Sequence, residues 1–98
     1  MTTEPIDGQK AAEWGLVWKM IEHDALQAEA KTMAAGFASG PTRSFELTKR
    51  AMRAGMQTDL VEQLVIEARG QAEAAATRDF AEGASAFLQK RKASFEGR

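Results

Sequence analysis

Apolar positions recur three and four residues apart through most of the chain, and the gaps between these stripes carry helix caps and stops. Asp7 stands where an N-cap belongs, with Ile6 and Ala11 at the two positions of a hydrophobic staple. A short helix is therefore predicted over Gly8 to Trp14, with Gly15 as its stop. Leu16 to Ile21 (LVWKMI) has the β-branched and aromatic content, and the length, of a strand. Asp24 opens a second helix with Gln27 three residues on as a capping box, and its apolar stripe is Leu26, Ala30, Met33, Ala34 and Phe37. Gly36 and Gly40 weaken and end it, and Pro41 sits in the first turn of a third helix that runs to Gly55. That helix carries Phe45, Thr48, Ala51 and Met52 on one face, with Glu46 and Arg50 spaced to pair.

Asp59 with Glu62 is a further capping box, opening the longest helix. Its stripe is Leu60, Val61, Leu64, Val65, Ala68, Ala72 and Ala75, with an interruption at Gly70. Asp79 with Glu82 caps the last helix, whose stripe is Phe80, Ala84, Phe87, Leu88 and Arg91. The predicted fold is mainly α, with five helices and the one short strand Leu16–Ile21. That strand has no neighbour in the chain to pair with, and a strand leaves backbone donors and acceptors open along both edges. It is an extended linker, it recruits a short partner from residues 1–6, or its sheet lies in another part of a larger protein.

Composition limits what such a fold can do. With 98 residues there is one domain at most, and although 44% of them are hydrophobic, a large part is alanine, which buries little area. Thirteen basic and fourteen acidic residues give a net charge of −1, so no global field favours nucleic acid or an anionic membrane. The N-terminal MTTEPIDGQK lacks the basic and apolar regions of a secretory signal, and no apolar run approaches the about 20 residues of a membrane span. Cysteine is absent, which is compatible with a reducing cytoplasm.

Candidate chemistry is sparse. One histidine, His23, and no cysteine cannot build the commonest zinc sites, so no metal is expected. Glu62, Glu67 and Glu73 are spaced to scatter around their helix, and no nucleophile elbow, phosphate loop or HExxH is present, so no catalytic residue is assigned. Arg43, Lys49, Arg50 and Arg53 on the third helix suggest a DNA-binding face, but Asp59 and Glu62 follow at once and the overall charge is neutral. Phe87 and Lys90, three residues apart, would share one helix face. An aromatic ring offers a flat surface to a nucleobase and an ammonium offers a charge to a phosphate, as the adenosine-3′-phosphate end of coenzyme A requires. Spacing alone equally fits a core phenylalanine and a lysine that complements the helix dipole.

The end of the chain joins Glu82-Gly83, Ala86-Phe87, the basic Lys90-Arg91-Lys92 and Phe95, and this resembles the closing helix of the enoyl-CoA hydratase/isomerase (crotonase) family. Upstream, Glu4 to Lys19 (EPIDGQKAAEWGLVWK), Gly40-Pro41-Thr42, Leu47-Thr48-Lys49-Arg50, Leu64 with Glu67, Gln71-Ala72-Glu73 and Asp79-Phe80 are similar to family segments in the same order. Glu13-Trp14-Gly15-Leu16-Val17-Trp18 looks closest to the branch containing 2-(1,2-epoxy)-1,2-dihydrophenylacetyl-CoA isomerases. The resemblance implies a C-terminal portion of the enzyme: residues 1–22 as the end of a spiral core, and residues 23–98 as a helical trimerisation and coenzyme A-site domain. It further implies that Phe87 and Lys90 line the nucleotide site of an acyl-CoA substrate, with no tightly bound cofactor. The implied partners are the remaining spiral core and neighbouring subunits of a trimer or hexamer, not nucleic acid or membrane. The oxyanion-hole donors and proton-moving acids of the family match no position here, so the chain alone is expected to be inactive, as a fragment or truncation of the enzyme. A stand-alone helical interaction module is the alternative.

Overall fold

A computed structural model describes residues 3–98 and contains five helices: α1 (Gly8–Glu13), α2 (Leu26–Ala38), α3 (Thr42–Ala54), α4 (Leu60–Ala75) and α5 (Arg78–Leu88). The chain divides into two compact units, Met1–Met33 and Ala34–Arg98.

In the first unit, the Asp7 carboxylate accepts the Lys10 N–H at 2.8 Å, the expected N-cap of α1. Gly15 adopts φ +72°, and its N–H and that of Leu16 return to the carbonyls of Ala12 and Ala11. This is a Schellman closure, which needs a left-handed residue just past the C-cap and so favours glycine. The closure corrects the predicted strand. Among the described residues there is no strand, and Leu16–Ile21 forms a bend followed by irregular backbone. The Leu16 and Val17 amides, which a strand would offer to a neighbour, both bond to Ala11 O instead, at 2.9 and 3.3 Å. Strand-prone side chains cannot hold a strand without a second one beside it. α2 begins at Leu26, two residues beyond Asp24, after a turn closed by the Ala25 N–H on Glu22 O.

In the second unit, Pro41 occupies the N-cap of α3, one position before the first turn where it was expected. Glu46 pairs with Arg43 rather than Arg50, and Arg43 also reaches Glu73 on α4. Arg50 lies 3.9 Å from the same Glu73 carboxylate. Near the other end of α3, the Gln63 side-chain amide donates to Ala51 O at 3.2 Å, tying the start of α4 to α3. The Asp59 cap is present, its carboxylate accepting the Glu62 N–H at 2.9 Å.

The face α4 turns inward differs from the predicted stripe. Gln63, Ile66, Gly70 and Ala74 are half-buried, whereas Leu60, Val61, Leu64 and Val65 are exposed. Gly70 does not interrupt the helix, and a side-chain carbon there would meet nothing within 4 Å. The only buried apolar side chains among the described residues are Leu47 on α3 and Ala86 on α5. Neither belonged to a predicted stripe.

The cap of α5 is Thr77, whose hydroxyl accepts the Phe80 N–H at 3.1 Å, in place of the predicted Asp79. Asp79 lies in the first turn and is only 3% exposed. Its carboxylate accepts the N–H groups of Glu96 and Gly97 at 2.7 and 2.8 Å, and its own N–H donates to Arg98 O at 3.0 Å. Residues 89–98 therefore fold back along α5, with the Phe95 ring against Gly83. Gly97 has φ +78°, and a side-chain carbon there would meet Thr42 Oγ1 at 2.6 Å. No other residue fits that turn without displacement. Among the described residues no helix is long and apolar enough to cross a membrane.

Candidate functional site

The two predicted site residues sit at the end of α5, Phe87 in its last turn and Lys90 beyond it, so they do not share one helical face. α5 stops at Leu88, with Gln89 as C-cap, and Lys90 takes φ +52° just beyond it. The Lys90 N–H returns to Phe87 O and the Arg91 N–H to Ala86 O, a second Schellman closure, here with lysine in the left-handed position. A non-glycine residue in that region carries about 1 kcal/mol of backbone strain, so neighbouring contacts must hold it. Phe87 is 83% exposed, which sets aside the reading of its ring as core. Lys90 is exposed and makes no ion pair among the described residues. An accessible ring and an unengaged ammonium thus flank one helix terminus.

Arg91, expected on the apolar stripe, does something else. Its guanidinium grips Glu82 in a two-pronged pair at 2.6 and 2.8 Å, and its Nε–H donates to Gln89 Oε1 at 2.7 Å. Glu82 also accepts the Ser94 N–H at 2.9 Å. The Arg91 hydrogen bonds first, and then the Ser94 amide, hold the Glu82 carboxyl down at about 2 against a partial desolvation that works the other way. The same pairing raises the Arg91 pKa. Sequence reasoning took Glu82 and Asp79 for helix caps. Both are acceptors for the returning chain, and a glycine one place from its end, Gly97, is the one local sign of that return.

A second feature lies between the end of α2 and the outer face of α3. An open cleft of about 480 Å³ is lined by Phe37, Phe45, Lys49, Arg50 and Arg53 among others, with the two rings edge to face at 5.8 Å. Of the four basic residues considered for DNA, Arg43 and Arg50 are engaged by Glu46 and Glu73, leaving Lys49 and Arg53. Two cations that lack a carboxylate partner among the described residues, set beside two carboxylates, are a poor phosphate-tracking face.

The helices superpose on an enoyl-CoA hydratase/isomerase structure from Mycobacterium paratuberculosis with a TM-score of 0.88 and 29% identity, over 97% of this chain and 37% of that one. The architecture is thus the helical portion of a crotonase-like fold. The sequence pattern of the enoyl-CoA hydratase/isomerase family matches residues 1–98, and the chain belongs to that family. A Rhodobacter capsulatus protein described as "Probable enoyl-CoA hydratase" is 39% identical over 97% of this chain and 37% of its own length. The 1,2-epoxyphenylacetyl-CoA isomerase of Escherichia coli is 33% identical over 95% of this chain and 36% of its own. The chain spans little more than a third of the length of these relatives.

Proposed function

We propose that this chain is the C-terminal part of an enoyl-CoA hydratase/isomerase, in which it associates subunits and closes the acyl-CoA site. Residues 1–22 would form the end of the spiral core and residues 23–98 the association and nucleotide-binding domain. The observation that carries this reading is the apolar surface left open by the fold. Trp14, Leu16 and Trp18 in the first unit, and Leu60, Val61 and Leu88 in the second, are all exposed. Patches of that kind mark surfaces that meet other protein. A stand-alone module would leave the near-complete match to one third of a longer enzyme without an explanation.

Phe87 and Lys90 are proposed to receive the nucleotide end of the coenzyme A thioester, the ring against adenine and the ammonium on the 3′-phosphate. Coenzyme A is then substrate carrier rather than resident cofactor. Catalysis is assigned to the remainder of the enzyme, since no position in this sequence resembles the family's oxyanion-hole donors. The Glu13–Trp18 segment and the E. coli relative support a phenylacetyl-type acyl group, while the R. capsulatus relative supports a simple enoyl chain. Turnover of the two thioester classes by the complete enzyme separates them. For the nucleotide site, calorimetric titration of CoA into the complete enzyme should show about tenfold weaker binding for Phe87→Ala and for Lys90→Ala. Unchanged affinity in both variants refutes the assignment.

A further inference from the structure

The basic cluster Lys90-Arg91-Lys92 presents three cations in succession, and the fold treats them unequally. Arg91 is fully engaged: both terminal nitrogens on Glu82, Nε on Gln89, and a further contact at 3.2 Å to Lys92 O. Lys90 and Lys92 have no carboxylate partner among the described residues. Arginine is the stronger phosphate ligand of the two residue types, because its planar fork binds two oxygens at once. Here that fork is already taken by Glu82, so Lys90 and not Arg91 is left to meet a phosphate at this helix end. The fork is also what braces the strained turn. Glu82 lies two turns back on α5, so the pair spans the closure at Lys90, and the Ser94 amide on the same carboxylate fixes the strand of chain that leaves it.

We propose that Glu82 and Arg91 are positioning residues of the nucleotide site, an inference that rests on the assignment of Phe87 and Lys90 above. Their pair braces the left-handed turn, so that Lys90 meets the 3′-phosphate at a set distance from the Phe87 ring. Neither residue touches the ligand.

The complete enzyme is titrated with CoA, with dephospho-CoA, which lacks the 3′-phosphate, and with an S-acyl pantetheine, which lacks the nucleotide. Wild type should prefer CoA over dephospho-CoA by about tenfold, the value of one charge-assisted hydrogen bond. Arg91→Gln and Glu82→Gln should both lower that preference to about threefold or less and leave acyl-pantetheine affinity unchanged. If Arg91 binds the phosphate itself, freeing it through Glu82→Gln raises the preference while Arg91→Gln lowers it, and the inference fails. It fails equally if acyl-pantetheine affinity drops in parallel, since the pair is then only part of the general fold. A preference lost in Lys90→Ala but kept in both pair variants overturns the positioning role and leaves the site intact. A preference kept in Lys90→Ala removes the site and the positioning role together.

Discussion

Replacing Asp79 with alanine removes both acceptors that hold the last residues of the chain. The carboxylate takes the Glu96 and Gly97 N–H groups at 2.7 and 2.8 Å from a side chain that is 3% exposed. Hydrogen bonds to a charged group contribute about 1.5–3 kcal/mol each, so the pair sets a ceiling of about 3–6 kcal/mol. The ceiling is not reached, because a released tail gives its amides to water. The Phe95 contact with Gly83 and the Glu82 bonds to Arg91 and Ser94 also remain. We expect the free energy of opening residues 96–98 to fall by about 2 kcal/mol, or roughly thirtyfold faster amide exchange at Glu96 and Gly97. Asp79→Asn keeps one carbonyl oxygen and turns an NH₂ toward the other amide, so its effect should be about half. Hydrogen exchange read residue by residue distinguishes this local opening from general unfolding. Unchanged exchange at both amides in Asp79→Ala, with helix content intact, refutes the clasp.

Acid should loosen the neighbouring contact. The folded Glu82 pKa, about 2, lies below its ordinary 4.5, so the stabilisation is complete above pH 4.5 and is lost as pH falls through about 2. The urea midpoint of wild type should therefore drop more between pH 5 and 2.5 than that of Glu82→Gln, and parallel curves would contradict the pairing. At the other end of the chain, Gly15→Ala forces a methyl group into φ +72° and should lower stability by about 1 kcal/mol in denaturant titration, while Gly36→Ala, inside α2, should not lower it.

The helices were legible in the sequence wherever the signal is local. Asp7 and Asp59 cap α1 and α4 through the N–H three residues on, a reach that depends on nothing beyond one turn. Asp79 fits the same pattern, yet its partners lie 17 and 18 residues downstream, and no local rule reveals that distance. The Leu16–Ile21 side chains favour a strand, but Gly15 directs the Leu16 amide back to α1, and pairing partners are not a property of the segment itself. For α4 the half-buried positions are Gln63, Ile66, Gly70 and Ala74, while Leu60, Val61, Leu64 and Val65 stay exposed, because which face finds a neighbour is decided by the other helices and not by the stripe itself. Phe87 and Lys90 were singled out by residue type, spacing and family likeness; the left-handed turn at Lys90 was not legible there.

The exposed stripe of α4 has a practical consequence for anyone handling this segment by itself. Leu60, Val61, Leu64 and Val65 contribute little to the internal packing of their own unit, so exchanging them for charged residues changes colloidal behaviour more than folding. Such a variant separates two requirements that ordinarily coincide: a helix that folds, and a helix that has somewhere to go.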